Sequence, residues 1–174
     1  MPPPTFSSTS RPWVAHLPIH YGWVILAVAS TVTFMSGPGQ TYGVSVFVNP
    51  MIEDLGWSRT MISGLYTAGS LTAATTMILV GRLLDRYGAR VMLIVVATLF
   101  GFAAVWMSNV SHPFHLYAGF AAIRILGQGS LTLIPTTLVA LWFVRLRGRA
   151  MSLHLLGSAA SLAFFPPFIH FLVS

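Results

Sequence analysis

Five long, continuously apolar runs constrain this chain more than any other feature of its sequence. Each run is near or above the ~20 residues that an α-helix needs to cross the hydrocarbon core of a bilayer. A transmembrane barrel would need short strands of alternating polarity, and these runs do not alternate. The sequence therefore predicts an all-α, polytopic transmembrane helical bundle. The five predicted spans cover about residues 22–47, 61–80, 91–110, 116–143 and 150–173.

The composition excludes several other classes of protein. Of the 174 residues, 55% are hydrophobic and only 7% are charged, whereas an average soluble domain is about 25% charged. The absence of cysteine rules out a disulfide scaffold and thiolate metal sites. The sequence carries neither a phosphate-binding loop nor a dinucleotide fingerprint. We therefore predict no enzyme, no catalytic residue, no cofactor and no metal site.

The charged residues predict the orientation of the chain in the membrane. All nine basic residues are arginines, and they lie mostly between the apolar runs, so we predict a lipid bilayer as partner and no nucleic acid. Arginine-rich and arginine-poor loops alternate after the first span, which predicts a cytoplasmic N-terminus. Residues 1–20, rich in Pro, Ser and Thr, are predicted to form a mobile cytoplasmic tail, and residues 21–174 the membrane domain.

A ten-residue motif, Gly-Arg-Leu-Leu-Asp-Arg-Tyr-Gly-Ala-Arg, lies between the second and third predicted spans, at residues 81–90. Its sequence and its position resemble the signature loop of the major facilitator superfamily, although Ala89 stands where a further basic residue is common. In that family the loop is a latch between two halves of the transporter. The residues themselves are also compatible with a simple topology anchor. The resemblance implies a conformational latch formed by Gly81, Asp85, Arg86, Gly88 and Arg90.

An arginine inside the fourth predicted span is the strongest candidate for a functional residue. Arg124 and Gln128 belong to a stretch that resembles the fourth-helix motif of the same family, with a spacing that departs by one residue. An arginine at the centre of a membrane helix costs ~2.5–3.5 kcal/mol and needs a partner. None of the five spans contains an acid. The partner is therefore a set of backbone carbonyls, an acid outside this sequence, or an anionic substrate.

Three further stretches resemble the monocarboxylate and oxalate/formate exchanger branch of the superfamily. They are Tyr-Gly-Trp at 21–23, Tyr-Gly-Val at 42–44 and Gly-Trp-Ser-Arg at 56–59. The resemblance implies a small-molecule substrate, a monocarboxylate or dicarboxylate. Arg124 would bind the carboxylate as a guanidinium fork. Tyr42, Tyr66 and Gln128 would supply hydrogen bonds from neighbouring helices.

The resemblance implies the N-terminal part of a secondary active transporter with a twelve-helix fold. The five spans would be an incomplete N-terminal six-helix half, and the missing C-terminal half of the transporter would be its partner. We expect a bacterial inner membrane. Two alternatives remain open: a proton-coupled exporter of drugs or metabolites, and a five-helix membrane module without transport of its own. Two histidines of the fifth span, His154 and His170, can also relay protons.

Overall fold

A computed structural model describes residues 21–108, 110 and 112–173 of the chain; the predicted tail at 1–20 lies outside them. These residues form six α-helices and no strand, which confirms the predicted all-α bundle. Three helical stretches are long and apolar enough to cross a membrane, namely Arg59–Met107, Pro113–Trp142 and Arg147–Leu172. The helices are α1 (Tyr21–Met35), α2 (Thr41–Leu55), α3 (Arg59–Met107), α4 (Pro113–Ile123), α5 (Leu131–Trp142) and α6 (Arg147–Val173).

The first predicted span is discontinuous. A 3-10 turn, Gly37–Gly39, separates α1 from α2. Pro38 lacks an N–H group and disfavours helical backbone at the residue before it, so the α-helix breaks at this point. Gln40 is extended, with φ −79° and ψ 160°, and a new helix starts at Thr41. The span continues to Leu55, eight residues beyond the predicted end at Phe47.

The fourth predicted span is also irregular in its middle. The segment Arg124–Ser130 between α4 and α5 is a π-helix, and the Ser130 hydroxyl donates to the Ile125 carbonyl at 2.8 Å, five residues back. Segments of π-helix are rare and are frequently found at functional sites. This one contains Arg124 and Gln128.

The second and third predicted spans are joined within the single long element α3. Its 49 residues would extend ~74 Å as one straight helix, more than twice the thickness of the hydrocarbon core. The helix turns at Gly88, where φ is 78° and ψ is 159°, a conformation that only glycine adopts readily. The expectation of a loop over residues 81–90 was therefore wrong, because all of these residues except Gly88 are helical.

Local capping explains where the other connections begin and end. Gly56 ends α2 with a left-handed conformation, φ 65°. The Ser58 side chain accepts a hydrogen bond from the Met61 N–H at 3.2 Å and starts α3. At the start of α4, the Nδ1 atom of His112 accepts from the Phe114 N–H at 3.2 Å, with Pro113 as the first helical residue.

The helices pack side by side, with α1 against α5 and α6, and α3 mainly against α4. The ring of Tyr21 lies 5.5 Å from the ring of Trp142, so the start of α1 and the end of α5 meet at one end of the bundle. Arg90 borders a cavity with both of these rings, and we call this the arginine-rich end. Many large apolar side chains of α3 point outward, as for helices in lipid. They include Leu71, Ile78, Ile94, Phe102 and Val105.

Candidate functional site

Arg124 is the first residue of the π-helix and reaches two other spans. Its Nε atom donates to the Ser70 hydroxyl at 3.0 Å, and its Nη1 atom donates to the Thr41 hydroxyl at 3.0 Å. The guanidinium carbon also lies 4.8 Å from the centre of the Tyr66 ring, which favours a cation over its face. The arginine therefore joins α2, α3 and the π-helix through two hydroxyl groups and an aromatic ring.

Thr41 connects the remaining members of this group. Its hydroxyl oxygen accepts from Arg124 and also from the Tyr66 hydroxyl at 3.2 Å. The Thr41 hydroxyl donates to the side-chain carbonyl of Gln128 at 3.4 Å. A hydroxyl has one donor and two acceptor positions, and here all three are used. We call these five residues the arginine cluster: Thr41, Tyr66, Ser70, Arg124 and Gln128.

The arginine cluster carries a net positive charge. Among the described residues, no carboxylate is paired with Arg124. Of the five N–H donors of its guanidinium, two make the hydrogen bonds to Ser70 and Thr41, and the other three have no hydrogen-bond acceptor among the described residues. Thr41 is also the first residue of α2, and a helix N-terminus bears a partial positive charge. Thr41 is exposed and Arg124 half-buried, so the cluster is accessible.

Two irregular backbone segments bring the cluster together. The 3-10 turn of the first span packs against the π-helix of the fourth at Gly39 and Gly127. A Cβ added to Gly39 would lie 2.9 Å from the Cα atom of Gly127, so neither position has room for a side chain. This close approach places the start of α2 beside the π-helix, and Thr41 thereby comes within reach of Arg124.

Three of the four predicted substrate-binding residues meet in the cluster, namely Arg124, Gln128 and Tyr66. The fourth, Tyr42, lies elsewhere, because its hydroxyl donates to the Ser161 hydroxyl on α6 at 2.8 Å. Ser161 in turn donates to the Phe34 carbonyl at 2.8 Å. Adjacent residues of a helix point ~100° apart, which is why Thr41 and Tyr42 face different neighbours. For Tyr42, substrate binding stays a prediction.

Sequence reasoning missed two members of the cluster, Thr41 and Ser70. Ser70 follows Tyr66 by four residues, so both share one face of α3. The four-residue spacing therefore indicates that Ser70 lies beside Tyr66. For Thr41 the sequence gives a weaker indication, namely its place as the first helical residue after the break at Pro38.

The residues of the predicted latch lie far from the arginine cluster. Asp85 is fifteen residues beyond Ser70 on α3, or ~22 Å along the helix axis. Asp85 and Arg90 are exposed, and the guanidinium of Arg86 lies 5.5 Å from the centre of the Tyr87 ring. Within the part of the chain that the structure describes, Asp85 forms no ion pair. A Cβ on Gly81 would meet nothing within 4 Å, so no described part of the chain packs closely against this glycine.

Discontinuous spans around a polar site at mid-depth are typical of membrane transporters. The comparison with known families agrees: the model of the Major Facilitator Superfamily matches residues 21–174. The chain belongs to this superfamily. It is an integral membrane protein and a transporter by family, and members of the superfamily are transporters rather than enzymes. No curated protein and no solved structure matches the chain.

Proposed function

We propose that the arginine cluster is part of the substrate site of a secondary active transporter for small organic anions, monocarboxylates or dicarboxylates. One observation carries the proposal: a guanidinium group in the middle of a membrane span has hydroxyl and aromatic neighbours but no paired carboxylate among the described residues. A charge in the membrane needs a partner. An anionic substrate supplies it during the transport cycle.

The donors of the cluster suit a carboxylate. The planar guanidinium can present two parallel N–H groups to both carboxylate oxygens. The N-terminal end of α2 adds a second source of positive potential beside it. Tyr66 and Gln128 can contribute hydrogen bonds on either side. The likeness of three sequence stretches to the monocarboxylate and oxalate/formate branch supports the same substrate class.

Alternating access requires a second helical bundle that moves against this one. In this proposal the five predicted spans, which the structure builds from α1 to α6, are five of the six in an N-terminal half. Asp85, Arg86 and Arg90 lie exposed at the arginine-rich end and contact the other half as a latch. The arginine-rich end faces the cytoplasm of a bacterial cell, as the positive-inside rule predicts.

Carboxylate uptake by Arg124 variants tests the substrate proposal. In vesicles from cells that express the native gene, we expect Arg124→Lys to lower uptake of its carboxylate substrates about tenfold or more, because a charged two-point hydrogen bond is lost. A panel of labelled mono- and dicarboxylates identifies these substrates. Arg149→Lys is the matched control, since Arg149 is exposed at the arginine-rich end. Unchanged carboxylate uptake in Arg124→Lys, or export of cationic drugs without carboxylate uptake, would contradict the proposal.

A further inference from the structure

His154 is a fully buried ionisable side chain that the proposed substrate site does not use. It lies on α6 with only 1% of its surface exposed. Its Nε2 atom lies 3.4 Å from the Thr33 hydroxyl on α1 and 3.3 Å from the Thr136 hydroxyl on α5. Its other ring nitrogen, Nδ1, is buried without a hydrogen-bond partner.

The hydrogen bonds of Thr136 favour a proton on Nε2 of His154. The Thr136 hydroxyl donates its only hydrogen to the Thr132 carbonyl at 2.6 Å. Towards His154 it can therefore only accept, and a proton on Nε2 satisfies this contact as well as the one to Thr33. The neutral ring then presents the lone pair of Nδ1, which is a base with no donor facing it. Buried polar atoms without a partner are rare and call for a functional explanation.

The surroundings of His154 are almost free of other charges. Helix α5 has no ionisable side chain, and α1 has only Tyr21 at its first residue. The remaining ionisable groups on α2 and α6 whose side chains the structure describes lie at helix ends or bond elsewhere: Tyr42, Glu53, Arg147, Arg149 and His170. Of these, Tyr42 donates to Ser161, seven residues beyond His154 on α6. No described residue thus neutralises a proton added to His154.

We propose that Nδ1 of His154 is the binding site of a coupling proton, so that the anion is transported together with H⁺. The inference rests on the proposed function. Nδ1 takes a proton from the compartment to which the bundle is open, the ring becomes a cation, and the same proton leaves on the opposite side, which restores the neutral ring. The anion at Arg124 and the proton at His154 are the two ligands of one cycle.

Electrostatics links the two sites. Thr136, which contacts His154, lies twelve residues from Arg124, or ~18 Å along the helix. At this separation a bound carboxylate and a bound proton would strengthen each other's binding by about fivefold at an effective dielectric constant of about 20. Such coupling is reciprocal. The bound anion thus supplies the stabilising charge that His154 lacks in the empty protein.

Two measurements test the inference. In vesicles from cells that express the native gene, an inward-directed proton gradient should accelerate carboxylate uptake, and His154→Gln should abolish this acceleration. His115→Gln is the matched control, because His115 is an exposed histidine on α4, outside the span that contains His154. In histidine ¹⁵N NMR spectra of the protein in nanodiscs, lowering the pH should protonate Nδ1 of a ring that starts as the Nε2–H tautomer. That signal should be absent from His154→Gln.

The outcomes separate this inference from the proposed function. Retained acceleration in a folded His154→Gln variant, or an Nδ1 atom that takes no proton over the pH range in which the protein is folded, overturns the inference. Should His154→Gln fail to fold, His154→Asn takes its place, and uptake by the unmodified protein that does not respond to the proton gradient also overturns the inference. If Arg124→Lys transports carboxylates normally while Nδ1 still titrates, the substrate proposal is the one that fails.

Discussion

At the scale of single residues, two tyrosine hydroxyls have different expected roles, one in substrate binding and the other in stability. Tyr66 donates to Thr41 in the arginine cluster, whereas Tyr42 donates to Ser161 on α6. We expect Tyr66→Phe to weaken carboxylate binding several-fold, because it removes a hydroxyl that bonds to Thr41 and can donate to the substrate. We expect Tyr42→Phe to lower the free energy of unfolding by about 1 kcal/mol and to leave binding unchanged. Binding isotherms and thermal unfolding in detergent measure both effects.

The reverse result is informative for Tyr42. Weaker carboxylate binding in Tyr42→Phe, with unchanged unfolding, would show that this hydroxyl leaves Ser161 to contact the substrate, as the sequence predicts. The free energy of unfolding of Tyr42→Phe should fall by no more than about 1 kcal/mol, since Ser161 keeps its hydrogen bond to the Phe34 carbonyl.

At the scale of helices, Gly88 and Gly81 form a matched pair within α3. Gly88 has a positive φ of 78°, so Gly88→Ala should destabilise the protein by about 1–3 kcal/mol. A Cβ on Gly81 meets nothing within 4 Å, so Gly81→Ala should be neutral or stabilise the helix by up to about 1 kcal/mol. Thermal unfolding of the two variants in detergent checks the opposite signs. Equal stability would mean that the turn at residue 88 does not require glycine.

The helix breaks show how much of this fold is predictable from sequence. The interruption at Pro38 is local chemistry, because proline removes a donor wherever it stands. The π-helix at Arg124–Ser130 contains no proline. It coincides with the close contact between Gly39 and Gly127, which are 88 positions apart and meet only after the bundle has formed. The arginine cluster depends on that contact, so Arg124 was predictable as a candidate while its partner Thr41 was not.

At the scale of the whole molecule, the absence of cysteine makes the orientation testable with single substitutions. Gly148→Cys lies at the arginine-rich end, where a Cβ meets no atom within 4 Å. His112→Cys lies exposed at the opposite end of the bundle. In intact cells we expect a membrane-impermeant maleimide to label His112→Cys at once and Gly148→Cys only after permeabilisation. Labelling in the reverse order would place the arginine-rich end outside.

The contact between Gly39 and Gly127 has a mechanical consequence. The first and fourth spans are each interrupted where they touch, so the two spans can bend together about this contact, which then acts as a pivot. Helix α1 has 15 residues and acts as a lever of ~22 Å above that pivot. A tilt of about 10° would swing its far tip by ~4 Å, comparable to the width of a small carboxylate, while the pivot itself stays still. The displacement would then be smallest beside Arg124 and largest at the far end of α1, at Tyr21.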